Sequence, residues 1–237
     1  MRPKERPIEE SGTRRKRPRT CGGHQAAIAF VMAWLAVIGQ PAAAAAQAEY
    51  SGPAVVRPAD TYLSTPAGHS EPVFHRWHTN EDGERTIWVH FTDPPAGRPG
   101  FWSETVRALE VWNAVGGVPL VFRQTGHAQA ADVEFRWIRR FGAHQAGTTD
   151  WETDGEGWLS SAVVTLATEH EDGTPMSDEF LRLVAVHEVG HVIGLPHSDD
   201  PRNVMHPGNR NLSLSDHDIW SARQLYETLE SDQVSHP

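Results

Sequence analysis

The sequence predicts a mixed α/β domain over residues 74–230, with strands and one helix first and two helices after them. Two observations lead there. Runs of β-branched and aromatic residues recur between turn signals in residues 86–168. Stretches with helical spacing or helix-start signals lie at residues 101–113, 177–194 and 215–229. Composition agrees: 38% apolar and 22% charged residues, with 20 Gly and 17 Pro, describe a turn-rich globular chain and exclude collagen, coiled coil and wholesale disorder.

The elements follow in order. Residues 86–91 (Thr-Ile-Trp-Val-His-Phe) sit between a turn at Asn80 to Gly83 and Pro94-Pro95, and read as a strand. In residues 101–113, Trp102, Val106 and Leu109 share one helical stripe, Trp112 widens it, and Gly116-Gly117 ends it. Residues 120–123 and 131–138 read as strands, the second alternating Val133, Phe135 and Trp137 with charged neighbours. Residues 158–168 contain Ala-Val-Val-Thr-Leu, another strand. Ser177 is the expected cap of a helix reaching Gly194, with Asp178 and Glu179 in the first turn, where the helix dipole favours acids. Ser215 caps a last helix through about Leu229, and Asp216 and Asp218 stand at its start.

The flanks are of another kind. Residues 1–48 join a basic stretch (Arg14-Arg15-Lys16-Arg17), an apolar run at residues 26–39, and the small-x-small triplet Ala46-Gln47-Ala48, the order of an export signal. The run is shorter than the roughly 20 residues a membrane span needs, so a retained anchor is the weaker alternative. Residues 49–73 are Pro-, Ser- and Ala-rich and read as a lead-in, disordered or a short propeptide; residues 231–237 form a tail. The expected location is secreted or cell-envelope.

Charge narrows the function classes. The whole chain carries −10, and residues 49–237 hold 28 acidic against 13 basic groups, a net −15. Such a surface repels phosphate backbones and anionic lipid, so no nucleic-acid partner is expected, and no stable membrane insertion once the signal is removed. The single cysteine, Cys21, lies in the leader, which removes disulfides and cysteine-ligated metals from the body.

Chemistry concentrates in His187-Glu188-Val189-Gly190-His191-Val192-Ile193-Gly194-Leu195-Pro196-His197. Histidines four apart share a helix face, close enough for both imidazoles to reach one ion at about 2.0–2.1 Å. Glu188 lies about 100° round the helix, beside the ion but off the histidine row. That is the place for a carboxylate taking a proton from activated water. Gly194 lets the helix end and the chain reverse, Pro196 prevents a restart, and His197 arrives as third ligand. Three imidazoles and one open position suit a catalytic zinc rather than a structural one. By chance the spacing would arise in roughly 3 of 10,000 chains of this composition, so coincidence is set aside.

The eleven-residue motif resembles that of the metzincin zinc peptidases, and Met205 in Asn203-Val204-Met205-His206-Pro207 looks like their Met-turn. Residues 212–218 (Leu-Ser-Leu-Ser-Asp-His-Asp) and 222–226 (Ala-Arg-Gln-Leu-Tyr) are similar to the matrixin branch. The resemblance implies an α+β catalytic domain: a twisted, mostly parallel sheet, three main helices and a cleft holding zinc. It also implies His187, His191 and His197 as ligands, Glu188 as base and Met205 as the methionine beneath the metal.

Departures from that family carry expectations too. Without a cysteine after residue 48, a latent form with cysteine on the zinc is excluded. Where matrixins usually read Met-Tyr-Pro this chain has His206, expected in a pocket wall. The family's upstream structural zinc has no clear counterpart; His144 and His170 are candidates, with surface histidines the plainer reading. Asp150, Asp154 and Glu156 form a candidate Ca2+ loop, with a solvated acidic loop as the alternative.

The expected function is thus a secreted, monomeric Zn2+-dependent endopeptidase acting on protein or peptide substrates. The alternatives are a zinc-binding module without turnover and a zinc amidase on cell-wall peptides. An extended substrate is expected to add to a sheet edge at residues 158–168. Arg210 is a candidate for lining the pocket beyond the scissile bond.

Overall fold

A computed structural model of the chain describes residues 26–31, 62–63, 75–142 and 144–233. Its centre is one six-stranded sheet: β1 (Ala26–Val31), β2 (Arg85–Phe91), β3 (Leu120–Gln124), β4 (Val133–Ile138), β5 (Gln145–Thr153) and β6 (Leu159–Ala167). The spatial order is β1-β5-β6-β4-β2-β3. Strands β2, β3, β4 and β6 run parallel, whereas β5 is antiparallel to β6 and β1 antiparallel to β5. The helices are α1 (Pro99–Asn113), α2 (Asp178–Ile193) and α3 (Asp216–Gln233). The mixed α/β class with a mostly parallel sheet and three main helices is what the sequence predicts.

In β2, β4 and most of β6 burial runs in period 2 because the sheet has one inner face. Ile87 and Val89 are fully buried while Trp88 between them is 42% exposed, and Val133, Phe135, Val164 and Leu166 point to the same core. Helix α2 crosses that inner face and has almost no polar side: every residue from Leu183 to Ile193 is buried. A helix apolar all round belongs in a core, and two buried histidines and a glutamate within it are therefore the anomaly to explain.

In α1 the predicted stripe holds at Leu109 and Trp112 but not at Trp102. The buried residues are Phe101, Glu104, Thr105, Ala108, Leu109 and Trp112, whereas Trp102 is 40% exposed and packs edge-on against Phe91. Faces one residue apart differ by about 100°, so both stripes have helical spacing, and packing against α2 selects the one containing Phe101. The Trp112 indole fixes that choice by donating from Nε1 to the Val186 carbonyl at 2.8 Å.

Two findings concern the sheet edge. Sequence reasoning found no strand at β5, which lies where an acidic loop was expected. And the strand expected at the edge, residues 158–168, is internal: β6 is bonded to β4 on one side and β5 on the other. The edge of the core sheet is therefore β5, and β1 lies along it from Ala26 opposite Trp151 to Val31 opposite Gln145, across one bulge. Ala26–Val31 belongs to the apolar run assigned to the leader. The basic stretch, the cleavage triplet, the lead-in apart from residues 62–63, and the last four residues of the tail lie outside the described residues. Among the described residues no helix is long and apolar enough to cross a membrane.

Candidate active site

The end of α2 is built to present its side chains. Ser177 caps the start, its Oγ accepting from the Phe180 N–H at 3.1 Å, and Gly194 ends the helix with φ 112. A Cβ at Gly194 would overlap the His75 carbonyl oxygen, so only glycine fits this reversal. The last carbonyls are satisfied from outside the helix: Trp77 Nε1 donates to Val192 O and the Tyr226 hydroxyl to Ile193 O, both at 2.8 Å. A fixed C-terminus lets Pro196 and His197 double back over the helix.

Three imidazoles then meet. His191 Nε2 lies 3.0 Å from His187 Nε2 and 3.2 Å from His197 Nε2. His187 and His191 are buried, and His197 is partly open to solvent. On the far side of two rings, His187 Nδ1 sits 2.6 Å from Val204 O and His191 Nδ1 2.8 Å from Leu195 O. A carbonyl only accepts, so both Nδ1 atoms carry the proton and both Nε2 atoms present bare lone pairs to each other. Lone pairs at that separation repel unless a cation lies between them. A tetrahedral zinc with N at about 2.0–2.1 Å would hold its nitrogens roughly 3.3 Å apart, so the donor set fits zinc with little adjustment. No other group of three or more such side chains converges among the described residues.

Glu188, next in sequence to His187, is wholly buried. Its Oε2 accepts from Thr149 Oγ1 at 2.7 Å, while Oε1 has no hydrogen-bond partner. Burial pushes its carboxyl up to about 8; the Asp150 charge adds to the rise and the Thr149 hydroxyl opposes it. The imidazoles move the other way. Burial and then the neighbouring His197 take His191 down to about 3, burial and then His191 hold His187 well below its ordinary value, and burial and then His206 lower His197. All three are thus neutral near pH 7, the form in which imidazole ligates metal.

Two glycines make room. A Cβ on Gly147 of β5 would lie 2.6 Å from Glu188 Oε1 and 2.8 Å from Val184 Cγ1, so glycine brings this strand against the carboxylate. A Cβ on Gly190 would overlap Met205 Sδ, so glycine admits the methionine against this turn of the helix. Met205 is wholly buried against this glycine.

The loop carrying Met205 is tied by Asp218, Ser215 and Asn203, a role the sequence reading did not give them. Asp218 is fully buried and accepts from Val204 N at 3.0 Å, Ser215 N at 2.8 Å and Ser215 Oγ at 2.7 Å. Asn203 donates to Ser198 Oγ at 2.6 Å and accepts from Ser215 Oγ at 2.8 Å. The Ser215–Asp218 spacing was the available signal, a capping box with Asp in the fourth place. Thr149 and Gly147 were missed for want of a strand at β5.

The remaining candidates fall elsewhere. His206 is outside the cluster, its Nδ1 accepting from Gly208 N at 2.9 Å within the turn. His144 and His170 flank a separate cavity beside the start of β5. Arg210 is exposed. Asp150 lies within β5, and Asp154 Oδ1 accepts from Glu156 N at 2.9 Å and Trp158 N at 3.0 Å, closing the β5–β6 turn. Asp150, Asp154 and Glu156 are not among the side chains that converge in the described residues.

Fold and site together define the catalytic domain of a metallopeptidase. A family model for the matrixins matches residues 77–227, and the chain belongs to that family of zinc metalloendopeptidases. It is similar to Metalloendoproteinase 1 of Glycine max, 28% identical over 173 residues that cover 64% of this chain and 52% of the relative. It is also similar to Matrix metalloproteinase-26 of Homo sapiens, 30% identical over 177 residues covering 66% of this chain and 62% of the relative. With the 72 kDa type IV collagenase of Gallus gallus, identity is 32% over 105 residues, 43% of this chain and 16% of the relative. The chain thus spans about half of the soybean protein and a small part of the collagenase.

Proposed function

We propose that this chain is a secreted zinc endopeptidase in which His187, His191 and His197 hold the metal and Glu188 is the general base. One observation supports it above others: three imidazole Nε2 atoms converge, and Glu188, next in sequence to the first of these histidines, keeps a buried carboxylate oxygen with no hydrogen-bond partner. Zinc, when bound there, supplies Lewis acidity, making water acidic near neutral pH and polarising a carbonyl.

The chain's own residues do the rest. Thr149 fixes Glu188 Oε2, which leaves Oε1 to take the proton of the attacking water and return it to the leaving amine. The high proton affinity that burial gives Glu188 suits that exchange. The Val204 and Leu195 carbonyls hold two imidazoles in the ligating tautomer. Met205 and Trp112 pack the floor. An extended peptide adds along the outer edge of β5, where the backbone of Ala26–Val31 pairs in the full chain. Residues 1–48 carry the order of an export signal, and their removal would free that edge.

The test is proteolysis of casein or gelatin with and without a zinc chelator, by the parent and by Glu188→Ala. The chelator is expected to abolish cleavage reversibly. The variant is expected to lose at least about a hundredfold while still folding. Full activity in either case would overturn the reading.

A further inference from the structure

We propose that the cavity at the start of β5 is a specificity subsite for a long basic side chain, two or three residues after the bond that is cut; this rests on the endopeptidase reading above. The cavity measures about 540 Å³ and lies outside the histidine cluster. Its floor is apolar, made of Ala146 (3% exposed), Met176 (2% exposed) and Phe180. Its mouth carries Glu171 and Asp172 from the turn between β6 and α2.

Strand register connects this cavity to the reaction. β1 shows the sense in which β5 accepts a neighbour: antiparallel, entering opposite Trp151 and leaving opposite Gln145. A peptide bound the same way passes Gly147, which lies against Glu188 and so marks the place of bond cleavage. There the register shifts, as it does for β1 between Ala29 opposite Thr148 and Val31 opposite Gln145, and one to two residues further on the peptide reaches Gln145, which lines the cavity. The cavity is therefore met by the part of the substrate C-terminal to the cut.

Charge decides what it takes. Glu171 Oε2 is engaged by His144, through Nδ1 at 3.0 Å and the backbone N at 3.3 Å. Asp172 Oδ1 accepts from Thr174 N at 2.9 Å and from its hydroxyl at 2.6 Å. These bonds hold both carboxylates in place while each keeps a second oxygen that accepts no hydrogen bond from a described residue. Arg140, the nearby cation, reaches only the Glu171 carbonyl, at 3.3 Å, and does not line the cavity. An arginine or lysine matches this environment: its methylene stem lies on Met176 and Phe180 and its head reaches the acidic mouth.

The experiment uses peptides identical except for Arg, Lys, Leu or Glu at the second and third positions after the scissile bond. The parent is expected to cleave the Arg and Lys peptides about fivefold faster in kcat/KM than the Glu peptides. In the double variant Glu171→Gln, Asp172→Asn that preference should fall below about twofold, and in Asp172→Lys it should reverse. Cleavage of the Leu peptide should stay within about twofold throughout, which reports that the variants fold and turn over. Leu-peptide cleavage with no basic preference in the parent, or with the preference intact in both variants, would overturn the subsite and leave the endopeptidase standing. Failure to cleave any peptide would overturn the endopeptidase reading itself, and the subsite with it.

Discussion

Thr149 Oγ1 lies 2.7 Å from Glu188 Oε2, a bond from strand β5 to helix α2. Both residues are fully buried, so the hydroxyl is a principal force keeping the glutamate's proton affinity from rising further. Thr149→Val removes it at nearly constant volume. A base must be deprotonated to act, so the acid limb of kcat/KM should move up by about one pH unit. Thr149→Ser should restore the parent profile. An unmoved limb in the valine variant would show that Thr149 does not tune Glu188.

The metal-free chain should be most stable near pH 6.5. The three imidazoles are lowered by folding, so the unfolded state binds more protons, and stability rises with pH up to the ordinary histidine value. Glu188 is raised to about 8, so the folded state binds the extra proton between the ordinary carboxylate range and that value. Its contribution falls as pH rises through the interval. Above pH 6.5 only this loss remains, at up to about 1.4 kcal/mol per pH unit until pH 8. Urea unfolding of chelator-treated protein from pH 5 to 9 measures the curve, and Glu188→Gln should flatten its limb above 6.5. A parent curve still rising from 6.5 to 8 would contradict the assignment.

At Gly190, alanine should reverse the usual helix preference. Exchanging glycine for alanine inside a helix ordinarily gains about 1 kcal/mol. Here the added methyl overlaps Met205 Sδ and lies 3.1 Å from Met205 Cε and from Trp112 Cζ2. Gly190→Ala is therefore expected to cost about 1–3 kcal/mol in urea unfolding. A variant at least as stable as the parent would show that the methionine does not depend on this glycine.

What the sequence revealed followed the range of the interactions involved. His187, Glu188 and His191 were legible because helical spacing alone places them, and Gly194 with Pro196 signals the reversal that brings His197 back. The parallel strands were legible from β-branched and aromatic runs between turn signals and, in β4, from alternation. β5 was not: Gln145–Thr153 mixes glycine, threonine and acids, and its pairing depends on β6 and β1 rather than on its own pattern. Thr149, Gly147 and the true sheet edge went unseen with it. Asp218 was read as a helix-start acid, yet its bonds to Val204 and Met205 link residues 13 and 14 positions apart, and no local period encodes that. The stripe of α1 was right at Leu109 and Trp112 but wrong at its start, because Trp102 and Phe101 both head a helical series.

The central claim is that the three imidazoles share one metal ion. Native mass spectrometry of the purified chain tests it directly, with His191→Ala and Glu188→Ala beside it. One zinc per chain is expected in the parent and in Glu188→Ala, and none in His191→Ala. A parent chain that takes up no zinc, or a His191→Ala chain that retains a full equivalent, would contradict the account.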